Sequence, residues 1–252
     1  MSFSLEQIAE LEAGREEINV KFQQVRQRLI LTPFSTALAR EHTDHGLARR
    51  LGILAHCINR VSELLPPAQI DIPDSQQIAD ATVYIQAFVL NTFGCCENLA
   101  WMWVSERGVM NSNGQPLPEK RIGLGPGYRQ LRASFPLGFR TYLETFDGWF
   151  AHLKDFRDAL AHRIPLYIPP YCIDTERGAE FQTLEAQASA ALMQGDLDAY
   201  QRICAERDSL RHFKPIMVHS LADPRPVIFH YQLQADFNTI VDITEHLLTD
   251  LT

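Results

Sequence analysis

Apolar residues recur every three or four positions along most of this chain, which is the period of an amphipathic helix. The first predicted helix has the apolar positions Leu11, Ile18, Phe22, Val25 and Leu29. The second is ended by Pro66 and Pro67, and its apolar positions are Leu47, Leu51, Leu54, Ile58, Val61 and Leu65. The third is capped by Asp74 or Ser75 and continues through Ile85, Phe88, Thr92, Cys95, Leu99 and Trp103.

The same periodicity predicts two more helices further along the chain. Residues 111–138 are rich in glycine and proline, which indicates a long connector. A fourth helix is then predicted over about residues 139–163, with an apolar stripe formed by Phe146, Trp149, Leu153, Phe156 and Leu160. The last helix is predicted to start at Asp236 or Asn238 and to end near Leu251.

Residues 164–233 have a different character from the rest of the chain. The sequence IPLYIPPY holds three prolines and predicts an extended or turning segment. An acidic stretch rich in Ala and Gln predicts two short helices broken around Gly195 and Asp196. PIMVHS and PVIFHYQL, separated by the turn-like LADPR, predict a small hairpin. We therefore predict one all-α domain over residues 1–252, a helical bundle with an insertion at about residues 164–233 before its last core helix.

Composition excludes several classes of protein. The chain is 46% hydrophobic and 21% charged, as is ordinary for a globular protein. No apolar run approaches the ~18–20 uncharged residues of a membrane span, and the acidic, amphipathic N-terminus does not have the pattern of a signal peptide. We therefore expect a cytoplasmic protein that does not associate with a membrane. The five cysteines are odd in number and lack Cys-x-x-Cys spacing, so neither a disulfide framework nor a zinc knuckle is indicated.

The charge is distributed unevenly along the chain. A net charge of −8 argues against a whole surface that binds nucleic acid. Residues 120–140, however, contain five basic and no acidic residues: Lys120, Arg121, Arg129, Arg132 and Arg140. The simpler interpretation is a solvated connector. The more specific interpretation is a local site for phosphate or an RNA backbone.

The end of the fourth predicted helix carries the most informative side chains. Arg157 lies about 40° from the centre of the apolar stripe, where a guanidinium needs an anion, backbone acceptors or a polar cleft. His162 lies in the last turn, where the helix dipole favours its charged form, and Asp158 precedes it by four residues. Arginine and histidine together suit attack of a ribose 2′-hydroxyl on a phosphodiester without a metal. Alternatively, the histidine caps the helix and Arg157 pairs with a carboxylate inside the bundle.

Residues 157–162, with the sequence RDALAH, resemble the Arg-polar-x-x-x-His motif of the HEPN superfamily. The upstream NTFGCCENLAWMWV and the continuation HRIPLYIPPY are also similar to bacterial HEPN-like proteins. The resemblance covers about residues 34–170 and the last helix. It implies a four-helix bundle, to which this chain would add an N-terminal helix and the insertion.

The resemblance also implies a role for each motif residue. Arg157 and His162 would be the functional pair, with Asp158 as the polar residue beside the arginine. Such proteins generally pair as homodimers that bring two motifs over one composite cleft. Many resemble metal-independent ribonucleases, and inactive, purely associative members also exist.

Other residues are candidates for ligand contacts. We expect substrate binding from Glu97, Asn98, Arg129, Arg132 and Arg163. A metal site at Glu41, His42 and His45 is a weaker hypothesis, since no Glu-x-x-His pair is present. The glycines of GLGPG match neither a P-loop nor a dinucleotide fingerprint. We expect no cofactor and no catalytic metal.

Two functional hypotheses follow for this chain. The first is a HEPN-like homodimer that binds or acts on RNA. If it acts on RNA, it would be a metal-independent endoribonuclease that leaves a 2′,3′-cyclic phosphate and a 5′-hydroxyl. The second is a non-catalytic module that binds a nucleotide or a protein partner in a defence or stress pathway.

Overall fold

The computed structural model describes residues 3–219 and 225–251, and helices dominate both ranges. Helix accounts for 71% of the described residues and strand for 4%, which confirms the all-α class. The helices are α1 (Leu5–Leu31), α2 (Ala37–Glu41), α3 (Ala48–Leu64), α4 (Ser75–Arg107), α5 (Arg129–Arg132), α6 (Leu137–Glu144), α7 (Asp147–His162), α8 (Gly178–Met193), α9 (Leu197–Asp208) and α10 (Phe229–Leu251). Strands β1 (Ile216–Met217) and β2 (Val227–Ile228) pair antiparallel, and a π-helical turn (His42–Leu47) connects α2 to α3.

Helix α4 begins and ends where its sequence provides strong signals. The Asp74 carboxylate accepts a hydrogen bond from the backbone N–H of Gln77 at 2.7 Å, and the Gln77 side chain accepts one from Asp74 N–H. This reciprocal capping box satisfies two amides that the first turn leaves unpaired. At the other end, Gly108 has φ = 58° and stops the helix in the left-handed conformation that glycine adopts without strain. The predicted third helix is therefore confirmed.

The core surrounds α4, which packs against α3, α7 and α10, while α1 covers α10 and α3. Its largest fully buried side chains include Phe88 on α4 and both Phe229 and Phe237 on α10. Burial of one such ring stabilises the fold by about 1.5–3 kcal/mol. The long helix α4, supported by α10, is thus the element against which α7 packs.

The predicted fourth helix is wrong in one respect, because two helices occupy that range. Helix α6 ends at Glu144 and α7 begins at Asp147. The Thr145 hydroxyl donates to the Tyr142 carbonyl at 2.7 Å, and the backbone N–H of Phe146 donates to the Leu143 carbonyl. These bonds close a tighter turn and redirect the chain. The apolar stripe continues across the break, so periodicity alone did not detect it.

The predicted start of the last helix is also wrong, because α10 begins at Phe229 rather than at Asp236 or Asn238. The second strand of the predicted hairpin is correspondingly short and holds only Val227 and Ile228. Phe229 and Leu233 are buried in the core in helical register with Phe237, and this tertiary contact overrides the strand propensity of the segment. Of the predicted turn at 221–225, only Arg225 lies within the described residues.

Helices α8 and α9 form a hairpin with a small apolar cluster of its own. That cluster consists of Phe181, Leu184 and Leu210. Gly195 turns the chain with φ = 75°, and Asp196 caps α9 by accepting a hydrogen bond from Ala199 N–H at 3.0 Å. The predicted pair of short helices broken at Gly195 and Asp196 is therefore confirmed.

The state of the cysteines and the character of the helices both bear on the class of protein. All five cysteines are free thiols. Burial raises the pKa of Cys95 to about 12 and that of Cys57 to about 11, so neither is a thiolate at neutral pH. None of the described helices combines the length and the apolar character that crossing a membrane requires.

Candidate functional site

A cavity of about 580 Å³ lies between α4, α7 and the loop 120–130. Helix α4 contributes Phe93, Cys96 and Glu97 to its lining. Helix α7 contributes one face, formed by Phe150, Ala151, Leu153, Lys154 and Arg157. Since two long helices and a loop converge there, the cavity is a concave site of the size that small-molecule and cofactor pockets have. We refer to it below as the Arg157 pocket.

Arg157 is the central polar group of this pocket. Its guanidinium lies over the Phe93 ring, with 4.3 Å between Cζ and the ring centroid. Its side chain is 29% exposed, and Nη1 lies 3.0 Å from Asp158 Oδ1. The buried Nε has no hydrogen-bond partner among the described residues. Stacking on an aromatic face stabilises the cation, but an unsatisfied buried donor is costly and favours a ligand that supplies an acceptor.

Four more basic residues line the same cavity, namely Lys120, Arg121, Arg129 and Lys154. Lys120, Arg121 and Arg129 are exposed and make no ion pair with any described residue, whereas Lys154 pairs with Asp158 at 2.6 Å. Glu97 is the acidic residue in the described lining. The pocket is therefore positive on a chain of net charge −8, and this local field attracts anions.

The loop that forms one wall depends on a glycine. A Cβ on Gly123 would lie 2.4 Å from Cε2 of the Tyr128 ring, so only glycine allows the ring to fold back onto the loop. The backbone N–H of Tyr128 donates to the Gly125 carbonyl at 3.1 Å, which closes a turn. Tyr128 thereby becomes a wall of the pocket, beside the buried Leu124.

Arg132 has a different role from the one the sequence predicted. Its side chain is 8% exposed and forms an ion pair with Asp147 at 2.6 Å. Its Nε donates to the Leu124 carbonyl at 2.7 Å. These bonds attach the pocket loop to the start of α7. Arg132 therefore supports the pocket loop and lies outside the described lining of the pocket.

His162 does not lie in the pocket with Arg157. It is the last residue of α7, its side chain is exposed, and it is absent from the described lining. Asp158 lies between the two residues in sequence, and its hydrogen bond with Lys154 holds the pKa of its carboxyl below the usual value. The arginine and histidine of one chain therefore face different surroundings, because a spacing of five residues places them about 140° apart around α7.

The other predicted contact residues divide into two groups. Glu97 and Arg129 line the Arg157 pocket. Asn98 lies on another face of α4 and hydrogen-bonds with Arg50 and His42. Arg163 forms an ion pair with Asp155 at 2.6 Å and lies outside the described lining. Asn98 and Arg163 therefore do not line the Arg157 pocket.

The weaker metal hypothesis gains no support from the geometry. Across residues 3–219 and 225–251, no group of three or more His, Cys, Asp or Glu side chains is arranged to hold a metal ion. His42 is instead stacked on Trp101, with 5.2 Å between ring centroids, and hydrogen-bonds with Asn98. His45 is exposed.

The sequence analysis did not identify two important residues of the pocket, Phe93 and Lys154. In the sequence, each of them lies at a helical spacing from a residue that was predicted to belong to the site. Phe93 precedes Glu97 by four residues on α4, and Lys154 precedes Arg157 by three residues on α7. Neither spacing is distinctive before the two helices are known to face each other.

The chain has no significant match to a protein-family model, a curated protein or a solved structure.

Proposed function

We propose that this chain is an RNA-binding protein that holds one nucleotide unit of its ligand in the Arg157 pocket. The observation that carries the proposal is the Arg157 guanidinium, which is stacked on Phe93 with a buried Nε that lacks an acceptor. A phosphate oxygen would supply that acceptor through a charge-assisted hydrogen bond. The surrounding basic residues would attract the phosphodiester backbone.

The pocket also fits the uncharged part of a nucleotide. Phe150, Leu153 and Leu124 form an apolar floor, and the Tyr128 ring forms a side wall. Apolar and aromatic surfaces of this kind accept a base or the face of a ribose, with little dependence on sequence. A volume of about 580 Å³ accommodates one nucleotide, while the open, basic rim leaves a path for the rest of the strand.

The resemblance to the HEPN superfamily agrees with this proposal. The Arg-polar-x-x-x-His motif occupies the last two turns of α7, and α7 packs against α4, which carries the second stretch of resemblance. We therefore extend the proposal to a HEPN-like bundle. In that bundle α10 would be the last core helix, and residues 164–228 would be an insertion.

The proposal is tested by measuring how strongly the chain binds a fluorescein-labelled single-stranded RNA, using fluorescence anisotropy. Arg157→Gln should weaken binding about tenfold or more, because it removes one charge-assisted contact. Arg163→Gln is the matched control, since it removes the same charge from the same helix end outside the pocket. Equal affinities for the two variants would refute the proposal. Binding of a free nucleotide but not of RNA would instead support the nucleotide-binding module.

A metal-independent endoribonuclease is the second candidate function, favoured by the exposed His162 at the end of the helix that carries Arg157. Because His162 does not reach its own pocket, catalysis would require the histidine of a second copy. In EDTA, the wild-type chain should cleave RNA and a homodimer should be visible by light scattering. His162→Ala should abolish cleavage and leave RNA binding intact. Absence of cleavage at concentrations that form the dimer would leave only the binding function.

A further inference from the structure

A second polar cluster lies on another face of α4, where Arg50 reaches across from α3. Its Nε donates to Asn98 Oδ1 at 3.0 Å, and its Nη1 donates to Asn91 Oδ1 at 2.9 Å. A Cβ on Gly94 would lie 2.5 Å from Arg50 Cζ, so the guanidinium lies directly against the backbone of α4. Two hydrogen bonds and a glycine surface thus hold a half-buried cation in one orientation.

The charge of this cation is not neutralised. Both partners are uncharged amides, and within residues 3–219 and 225–251 no carboxylate pairs with Arg50. The Asn91 amide is itself fixed in orientation, because its Nδ2 donates to the Ala87 carbonyl at 2.8 Å. The Nη2 group of Arg50 has no acceptor among the described residues. An immobilised, partly desolvated guanidinium with unused donors is the arrangement that recognises an oxyanion.

The adjacent His42 is held by the same network of hydrogen bonds. Arg50 only donates, so Asn98 must turn its oxygen toward Arg50 and its Nδ2 toward His42 Nδ1, 3.0 Å away. His42 therefore accepts at Nδ1 and carries its proton on Nε2. Its ring is held parallel to Trp101 with an interplanar angle of 2°. The network thus fixes the tautomer and the plane of the imidazole.

We propose that Arg50 is the anchor of a second binding site, specific for an oxyanion such as a phosphate or carboxylate group. This site lies outside the Arg157 pocket and does not depend on RNA binding there. The Arg50 Nη groups would bind the anion. Asn91 and Asn98 would position the guanidinium without cancelling its charge.

The test uses the full chain labelled with ¹⁵N and follows the Arg50 Nε–Hε resonance by NMR, assigned by its loss in Arg50→Lys. Inorganic phosphate and acetate are titrated separately at constant ionic strength. A saturable shift in the millimolar range is expected, and it should persist in Arg157→Gln. A shift with phosphate alone identifies a phosphate site, and a shift with both anions identifies a general oxyanion site. No saturable shift with either anion overturns the proposal.

Asn91→Asp separates this role from a purely structural one. The aspartate has the shape of asparagine and still accepts from Arg50 Nη1, although it loses the Nδ2 donation to the Ala87 carbonyl. Its charge neutralises Arg50 in place, so anion affinity should fall about tenfold or more. Asn59→Asp adds the same charge on α3, likewise loses one Nδ2 donation, to Asn19 Oδ1, and should leave the titration unchanged. Thermal unfolding confirms that both variants remain folded. An unchanged titration in Asn91→Asp would show that Arg50 only packs α3 against α4.

Discussion

Asp236 is a buried carboxylate on α10. It accepts hydrogen bonds from Trp149 Nε1 at 2.7 Å and from Gln232 Nε2 at 2.6 Å. Burial is the larger effect and raises the pKa of Asp236 to about 6. Arg157, in contrast, is stabilised by the Phe93 ring and faces a cavity. Of these two charged residues, the arginine is positioned for a ligand and the aspartate reduces stability at neutral pH.

Asp236→Asn should remove a specific pH dependence of stability. The folded pKa lies above the unfolded value of 3.8, so the contribution of Asp236 is fully present below about pH 4 and is lost as pH rises to about 6. The loss amounts to about 3 kcal/mol of unfolding free energy. Urea unfolding of both proteins at pH 4, 5, 6 and 7 measures it. The asparagine variant should lose less stability than wild type over that range. A constant difference at every pH would contradict the assignment.

At the scale of elements, the sequence located the helices more accurately than it located the breaks between them. The α4 cap at Asp74 and its apolar stripe identified that helix correctly, since both are local. The break at Thr145 and the start of α10 at Phe229 depend on tertiary contacts, which periodicity does not contain. Likewise, the sequence placed Arg157 on a buried face, but it gave no means of knowing that Phe93 would lie beneath it.

Gly123→Ala tests whether the shape of the pocket loop matters for binding. The added Cβ would meet the Tyr128 ring, which must move and so alter one wall of the pocket. RNA affinity should fall several-fold. Gly123 is buried between the core residues Ile122 and Leu124, so thermal unfolding is measured in parallel to verify that the variant remains folded. Gly138→Ala is the control, since no atom lies within 4 Å of its Cβ position and Gly138 lies outside the described lining of the pocket. Equal RNA affinities in the two variants would indicate that Tyr128 is not part of the site.

At the scale of the whole molecule, α8 and α9 are distinct from the main core. They pack mainly on each other around Phe181, Leu184 and Leu210, whereas α3, α4 and α10 share one large core. A small cluster provides little free energy against local opening. The sequence indicated this division through the change in composition at 164–233, although not the placement of the hairpin.

Hydrogen exchange followed by mass spectrometry should reveal that division. Backbone amides of α8 and α9 should exchange faster than those of α4 and α10. Phe181→Ala should accelerate exchange in α8 and α9 alone, because it removes a ring from the smaller cluster. Exchange of α8 at the rate of α4 would mean that the molecule opens as one cooperative unit.

The most direct test of RNA binding at the Arg157 pocket is the salt dependence of that binding, measured in parallel for wild type, Arg157→Gln and Arg163→Gln. Each phosphate contact with a single strand contributes about 0.7 to the slope of log affinity against log salt concentration. Arg157→Gln should reduce the slope by about that amount and weaken binding, while Arg163→Gln should match wild type. Identical slopes and affinities for all three proteins would contradict the central role of Arg157.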